Sequence, residues 1–334
     1  MCLIAFLPKS YAFQSLQHGE ISVDGLLFTE IEAAATAIKD GSKVFIGPGV
    51  YNQGMDITAN NVVISGSFDR PHFKGAVTKI GATFNVKGDN IRLENIECSN
   101  ALHSNRKGTC VSHSGENLTV TNVYFHDGER GIISGKDSGT LIVEYSKLER
   151  LGKDGKAHPI TSSGNELIIR YSDILDATDQ AHEISTKAIK TVIEFSRIGS
   201  VTSDDSRIID MPAGGEIVIR NSILMKNKNT VNRQLIGFGL GEMARHRPHS
   251  ILLANNLLFA ERDGPNEVLA LPGSPNQSIS VAVEENIIVG RQIIDKDNYS
   301  EDNRFIENRA ELKLEKILPE ISIIDALKIL EPGN

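Results

Sequence analysis

The chain has 334 residues, 40% of them hydrophobic, enough for a large core. A formal net charge of -8 argues against general nucleic-acid binding, so an anionic polymer would have to be held by a local basic patch. There is no Trp and only 5% aromatic content, which favours recognition by charge over stacking, and no apolar run reaches the ~20 residues a membrane helix needs.

Residues 1–12 carry a short apolar run at 2–7, then Ser10-Tyr11-Ala12, small residues that suit a signal-peptidase site. They are read as a secretory leader lacking its upstream part, against the alternative of a plain N-terminal strand. Next, Phe28, Ile31, Ala34, Ala35 and Ile38 fall at helical spacing, with Gly41 as a stop signal. The stretch 43–51 reads as a strand running into the tight turn Gly47-Pro48-Gly49. A short helix followed by a first strand is what a β-solenoid needs to seal its open end.

From there one phrase recurs nine times, in places loosely: an apolar pair flanking one residue, two more residues, a Ser or Asn, then another apolar residue. Its anchors are Ile64, Leu93, Val120, Val143, Ile169, Ile193, Ile219, Leu253 and Val283, with steps of 29, 27, 23, 26, 24, 26, 34 and 30. Short strands repeating at that period define a solenoid whose units cannot bury a core alone. Two positions past the anchor come Asn95, Asn122, Tyr145, Tyr171, Phe195, Asn221 and Asn255; one further come Ser146, Ser172, Ser196, Ser222, Asn256 and Asn286. Like beside like predicts ladders that run along the axis, with a structural role. Cys98 and Cys110 bracket a loop; a disulfide in an exported protein and two small core residues both remain open. The acidic stretch 295–307 is read as a linker, and 311–330 as one or two capping helices broken at Pro319.

The entry Ala33-Ala34-Ala35 … Asp40-Gly41-Ser42-Lys43-Val44-Phe45-Ile46-Gly47-Pro48-Gly49-Val50-Tyr51, followed by such coils, resembles the right-handed parallel β-helix proteins of the pectate-lyase-like superfamily over about 28–300. The expected fold is all-β: a right-handed parallel β-helix of about ten coils. It comprises a β-helix domain at 13–300, with a short N-terminal capping helix, and a helical C-terminal cap at 301–334. This fold hosts lyases, hydrolases, epimerases and phage tailspikes, so function must be argued from a site.

Counting back from the anchors puts Arg130, His158, His182 and Arg207 at nearly matching offsets in four consecutive coils, with Glu242 next in the Gly-rich stretch 237–241. A basic strip on an acidic protein suits an anionic polymer. Beside it lie Glu183, Lys187 and Asp210. Glu183, Ser185 and Lys187, with Arg207 about one coil on, resemble the Glu-x-Ile-Ser-x-Lys segment and assisting Arg of chondroitinase-B and alginate-lyase-type polysaccharide lyases, although Glu183 stands one residue closer to the Lys. The same stretch resembles a group of little-characterised bacterial β-helix proteins. It keeps His158, His182, Ala188, Ile209, Asp210, Pro212, Gly214 and Gly215, and departs at Thr161, Ala181, Ser185, Thr186 and Lys187, losing a phenol and one cation of that motif.

The resemblance implies β-elimination of a uronate in an acidic polysaccharide, with Lys187, His182, Arg207 and His158 catalytic and Arg130, Asp210, Glu183 and Glu242 holding substrate. Lys187 or a histidine would serve as the base, the histidines because they titrate near neutral pH. Ca2+ is conceivable on Glu183, Asp204, Asp205 or Asp210. The expected protein is secreted or periplasmic and monomeric. Competing readings are a non-catalytic carbohydrate-binding or surface β-helix, and a glycoside hydrolase or uronate epimerase.

Overall fold

The computed structural model describes residues 16–244, 248–273, 278–292, 299–312 and 322–330. The leader read at 1–12 and the region around Pro319 lie outside them. The chain is a right-handed parallel β-helix of about nine turns, close to the ten expected. Among the described residues, three stacks of strands run the length of the molecule, sheet A with 12 strands, sheet B with 11 and sheet C with 9, parallel throughout except for the first two strands of sheet A.

Every anchor pairs with the next. Ile64 faces Leu93, then Val120, Val143, Ile169, Ile193, Ile219, Leu253 and Val283, all along sheet A. All nine are buried, because alternate residues of a strand face opposite sides and these point inward. The outward positions of the same strands carry Glu144, Arg170, Glu194 and Arg220 in register. Alternating charge reinforces that register: Arg170 pairs with Glu144 at 2.8 Å and Lys190 with Glu166 at 3.1 Å, while Arg220 pairs with Glu194.

The ladders sit at the turn between sheets A and B. Asn95, Asn122, Asn221 and Asn255 all have φ near +50°, a left-handed conformation that Asn tolerates well. Tyr145, Tyr171 and Phe195 adopt the same φ, which is costly for a bulky side chain, and their rings stack at 5.1 and 5.2 Å. One residue later, the backbone N–H of Ser146, Ser172 and Ser196 each donates to the side-chain hydroxyl of the next coil's serine at 3.2 Å. Ser222 N–H donates to Asn256, Asn256 N–H to Asn286, and Asn286 N–H to Asn303. The turn's orphan donors are thus satisfied inside the protein, coil after coil.

At the N-terminal end the helix Ile31–Ala37 buries Ile31 and Ala34. It starts later than its spacing suggested, because Phe28 belongs to a strand. Ile21–Val23 and Leu26–Phe28 form an antiparallel hairpin, turned at Asp24 (φ 51°) and Gly25 (φ 88°), and it covers the edge strand Lys43–Ile46. At the other end, the stretch read as a linker contributes a strand, Arg304–Ile306, parallel to Ile287–Val289. A 3-10 turn at Arg309–Leu312 and the helix Ile323–Leu330 follow. Cys98 and Cys110 form a disulfide, with Cα atoms 5.9 Å apart, tying sheet B to sheet C within the core.

The wholly buried Asn256 accepts from Ser222 N–H and donates to Ile219 O and Asn286 Oδ1. Asn256→Ala leaves these groups unpaired and should cost about 3 kcal/mol. A lower urea midpoint and Tm would register it; an unchanged midpoint would mean the ladder contributes nothing.

Candidate functional site

Ile132, Ile160, Ile184 and Ile209 pair coil to coil on sheet C, followed by Ile236. Arg130, His158, His182 and Arg207 each stand two residues before these isoleucines, so they share one column with no offset. The next member is Gln234, which pairs with Glu267 in the following coil. Glu242 is not in the column: it is exposed in the loop after the strand Gln234–Phe238. The long coil has its extra residues in that loop, between sheet C and the next anchor, so counting back from Leu253 stops short of the site. Counting forward from Ser222 would have found Gln234.

The two histidines stack, with ring centroids 5.0 Å apart and planes inclined by 18°. His158 Nδ1 accepts from His182 N–H, and His182 Nδ1 from Arg207 N–H, both at 3.1 Å. Each ring is therefore neutral, with its proton on Nε2. Burial depresses His158 to about 3 and His182 to about 4, and neighbouring cations add to the effect. This corrects the base role expected for them: the one lone pair of each neutral ring is taken by the backbone. What remains is an Nε2–H donor.

Asp210 completes the group. It projects from the outer face of sheet C between Ser185 and Gly237. Its Oδ1 accepts from Arg207 Nη1 at 2.9 Å, and its Oδ2 lies 3.8 Å from His182 Nε2. Burial raises its pKa, opposed by Arg207, His158 and Lys187. Arg207 is held on its other side by Gln234, whose Oε1 accepts from Nε and Nη2 at 2.9 and 2.7 Å. The guanidinium lies across Gly237, where a Cβ would come within 2.6 Å of its Cδ and Nε. Lys187 is exposed just past the strand Ile184–Thr186, near enough for its charge to act on Asp210. Arg130, two coils from His182, is half-buried and donates to the carbonyl of Arg106 at 2.8 Å.

Glu183 faces the other way. It is wholly buried, accepts from Ala177 N–H at 2.8 Å, and burial beside Asp205 keeps its pKa well above the usual carboxylate range. It cannot touch a polymer on the surface. Buried Asp205 accepts from the Thr230 hydroxyl and lies near the fully buried Lys226, whose ammonium donates to the carbonyls of Ser206 and Asn232 at 2.6 Å. The four oxygen donors considered for Ca2+ do not converge. Glu183 and Asp205 are enclosed, Asp204 is exposed, and Asp210 is on the outer face bound to Arg207. Six to eight oxygens around one cation cannot be drawn from that set.

Among solved structures the chain is similar to pectate lyase Pel9A, with a TM-score of 0.59 and 16% identity over 82% of this chain and 74% of that one. Lower scores relate it to the pectin methylesterase from Aspergillus niger (0.42, 16% identity, 77% of this chain and 89% of that chain) and to the alginate lyase AlyF-OU02 in complex with G6 (0.42, 14%, 84% and 77%). No protein-family model matches the chain, and no curated protein matches it in sequence. The likeness is one of fold.

A histidine titration by NMR checks the site's electrostatics: His182 and His158 should protonate near pH 4 and 3, against about 6.5 when unfolded. Between these values the unfolded chain binds more protons, so stability falls as pH drops from about 6.5 towards 4. Midpoints above 6 for both rings would contradict the backbone-locked tautomer.

Proposed function

We propose that the chain is an exported polysaccharide lyase that cleaves a uronate-containing polymer by β-elimination along the outer face of sheet C. The observation that carries this reading is the position of Asp210 on the outer face of sheet C, its Oδ2 3.8 Å from the Nε2 of His182, with Lys187 and Arg207 beside it. A uronate carboxylate bound against His182 Nε2–H and Lys187 would have its charge offset, making the C5 proton acidic. Asp210 then takes that proton, since its raised pKa makes it a better acceptor than an ordinary carboxylate. The freed electron pair forms the C4–C5 double bond, the C4–O4 bond breaks, and the Lys187 ammonium gives its proton to O4. Arg207 and His158 hold Asp210 and His182 in place, and Arg130 receives the carboxylate of a sugar further along the chain.

One further feature favours the reading. Cys98–Cys110 is a bond expected of oxidising compartments, which supports export to the periplasm or outside the cell. No described helix is long and apolar enough to cross a membrane.

Acidic polysaccharides are to be screened for the ultraviolet absorbance of unsaturated uronates. On the polymer that is cleaved, Asp210→Asn and Lys187→Ala should each lower kcat by about 10²–10⁴-fold with the fold intact, and Arg130→Ala should mainly raise KM. Activity of the parent should fall as pH drops through a midpoint raised above that of an ordinary aspartate, and Asp210→Asn should lose that limb. Saturated products would mean hydrolysis, and salt-sensitive binding without chain cleavage would mean a binding protein; either ends the lyase assignment.

A further inference from the structure

On sheet B, in coils nearer the N-terminus, three side chains converge that play no part in the site above. We propose that His72, Glu97 and His126 form a binding site for a divalent transition cation of the Zn2+ class, with one coordination position open to solvent. His72 stands in the strand His72–Lys74, Glu97 in Glu97–Ser99 and His126 in Tyr124–Gly128, three successive strands. Phe73, Cys98 and Phe125 of these strands are buried, so all three candidate ligands project from the outer face.

Glu97 Oε1 lies 3.5 Å from His72 Nδ1 and 3.1 Å from His126 Nε2, and the three atoms all fall within 4.8 Å of one another. Nitrogen and oxygen ligands of a tetrahedral zinc, at 2.0–2.2 Å from the metal, are about 3.4 Å from each other. The observed separations straddle that edge. Among the described residues this is the one group of three His, Cys, Asp or Glu side chains that meets so closely.

The outer contacts point the same way. His72 Nε2 is tied to the Ser99 hydroxyl at 2.7 Å, and His126 Nδ1 to the Asp127 carboxylate at 2.6 Å. Each ring is thus anchored through one nitrogen and turns the other towards the shared oxygen, the arrangement by which outer partners orient metal-bound imidazoles. Tyr124 stacks on His126 with centroids 4.1 Å apart and fixes the ring plane. A simple ion pair needs one imidazole, whereas here two converge on one oxygen. Two imidazole nitrogens and a carboxylate select a borderline cation over Ca2+ or Mg2+. The side chains keep 14–26% exposure, which leaves the fourth position to water or a ligand.

The test titrates chelator-treated full-length protein with Zn2+ alone, by calorimetry. We expect one saturable site per chain, unaffected by excess Ca2+ or Mg2+. His72→Ala and His126→Ala should each weaken it at least tenfold, and Asp127→Asn about 10–100-fold. The double variant His158→Ala/His182→Ala should bind as the parent does. Co2+ in place of Zn2+ should give the intense visible bands of a four-coordinate site, a readout that needs no variant. Absence of saturable binding, a weak octahedral Co2+ spectrum, or binding that survives loss of both His72 and His126 would each overturn the proposal.

Discussion

Parallel pairing at fixed register is the constraint on which the whole molecule depends. Because each strand hydrogen-bonds to the same strand one turn on, a residue's neighbours are its counterparts in the adjoining coils, however many residues the intervening turns contain. The steps between anchors range from 23 to 34, yet Ile64 through Val283 stay in one file. Variation in length is absorbed by loops, where closure entropy grows only slowly. Identity at equivalent positions then becomes a physical interaction: serine below serine, amide below amide, ring below ring.

That constraint also explains what the sequence made legible. The period, the inward anchors and the polar ladder could be read because inward positions must be apolar in every coil and the turn leaves the same N–H groups to satisfy. The column of Arg130, His158, His182 and Arg207 was legible for the same reason, since the segments between it and sheet A are of similar length in those four coils. It failed at Glu242, where the loop after residue 238 breaks the count. Glu183 was misassigned because the direction of a turn residue does not follow from its neighbours' alternation. The hairpin at Ile21–Val23 and Leu26–Phe28 was missed although Asp24-Gly25 is a recognised hairpin turn pair. His72, Glu97 and His126 escaped notice because a longer turn after Ile64 carries His72 further from its anchor, and because His126 pairs with Ser99, the next outward position after Glu97, so no single offset collects the three.

The interior behind the site holds buried charged groups. Glu183, Asp205 and Lys226 are all fully enclosed, and burial pushes the two carboxyls up and the amine down. Lys226 donates to the carbonyl of Ser206, immediately before Arg207, and its charge is one of those that depress His182. Removing one member of such a cluster leaves the others unpartnered in a low dielectric, a costlier change than replacing the whole set with apolar groups. The cluster therefore fixes the backbone from which Arg207 and its N–H bond to His182 are presented.

Backbone donation to both Nδ1 atoms has a chemical consequence that a sequence of histidines and arginines alone would not suggest. An imidazole whose lone pair is occupied inside the protein can offer only a neutral N–H to a substrate, and burial keeps it neutral under ordinary conditions. Cationic capacity in the column thus falls to Arg130, Arg207 and the adjoining Lys187, while proton-accepting capacity falls to Asp210. Because Arg207 already shares its guanidinium between Asp210 and Gln234, it sets the position and basicity of that carboxylate more than it contacts a ligand. A column that looks from sequence like four equivalent cations is in fact two interlocked positioning groups, one neutral donor and one outlying charge.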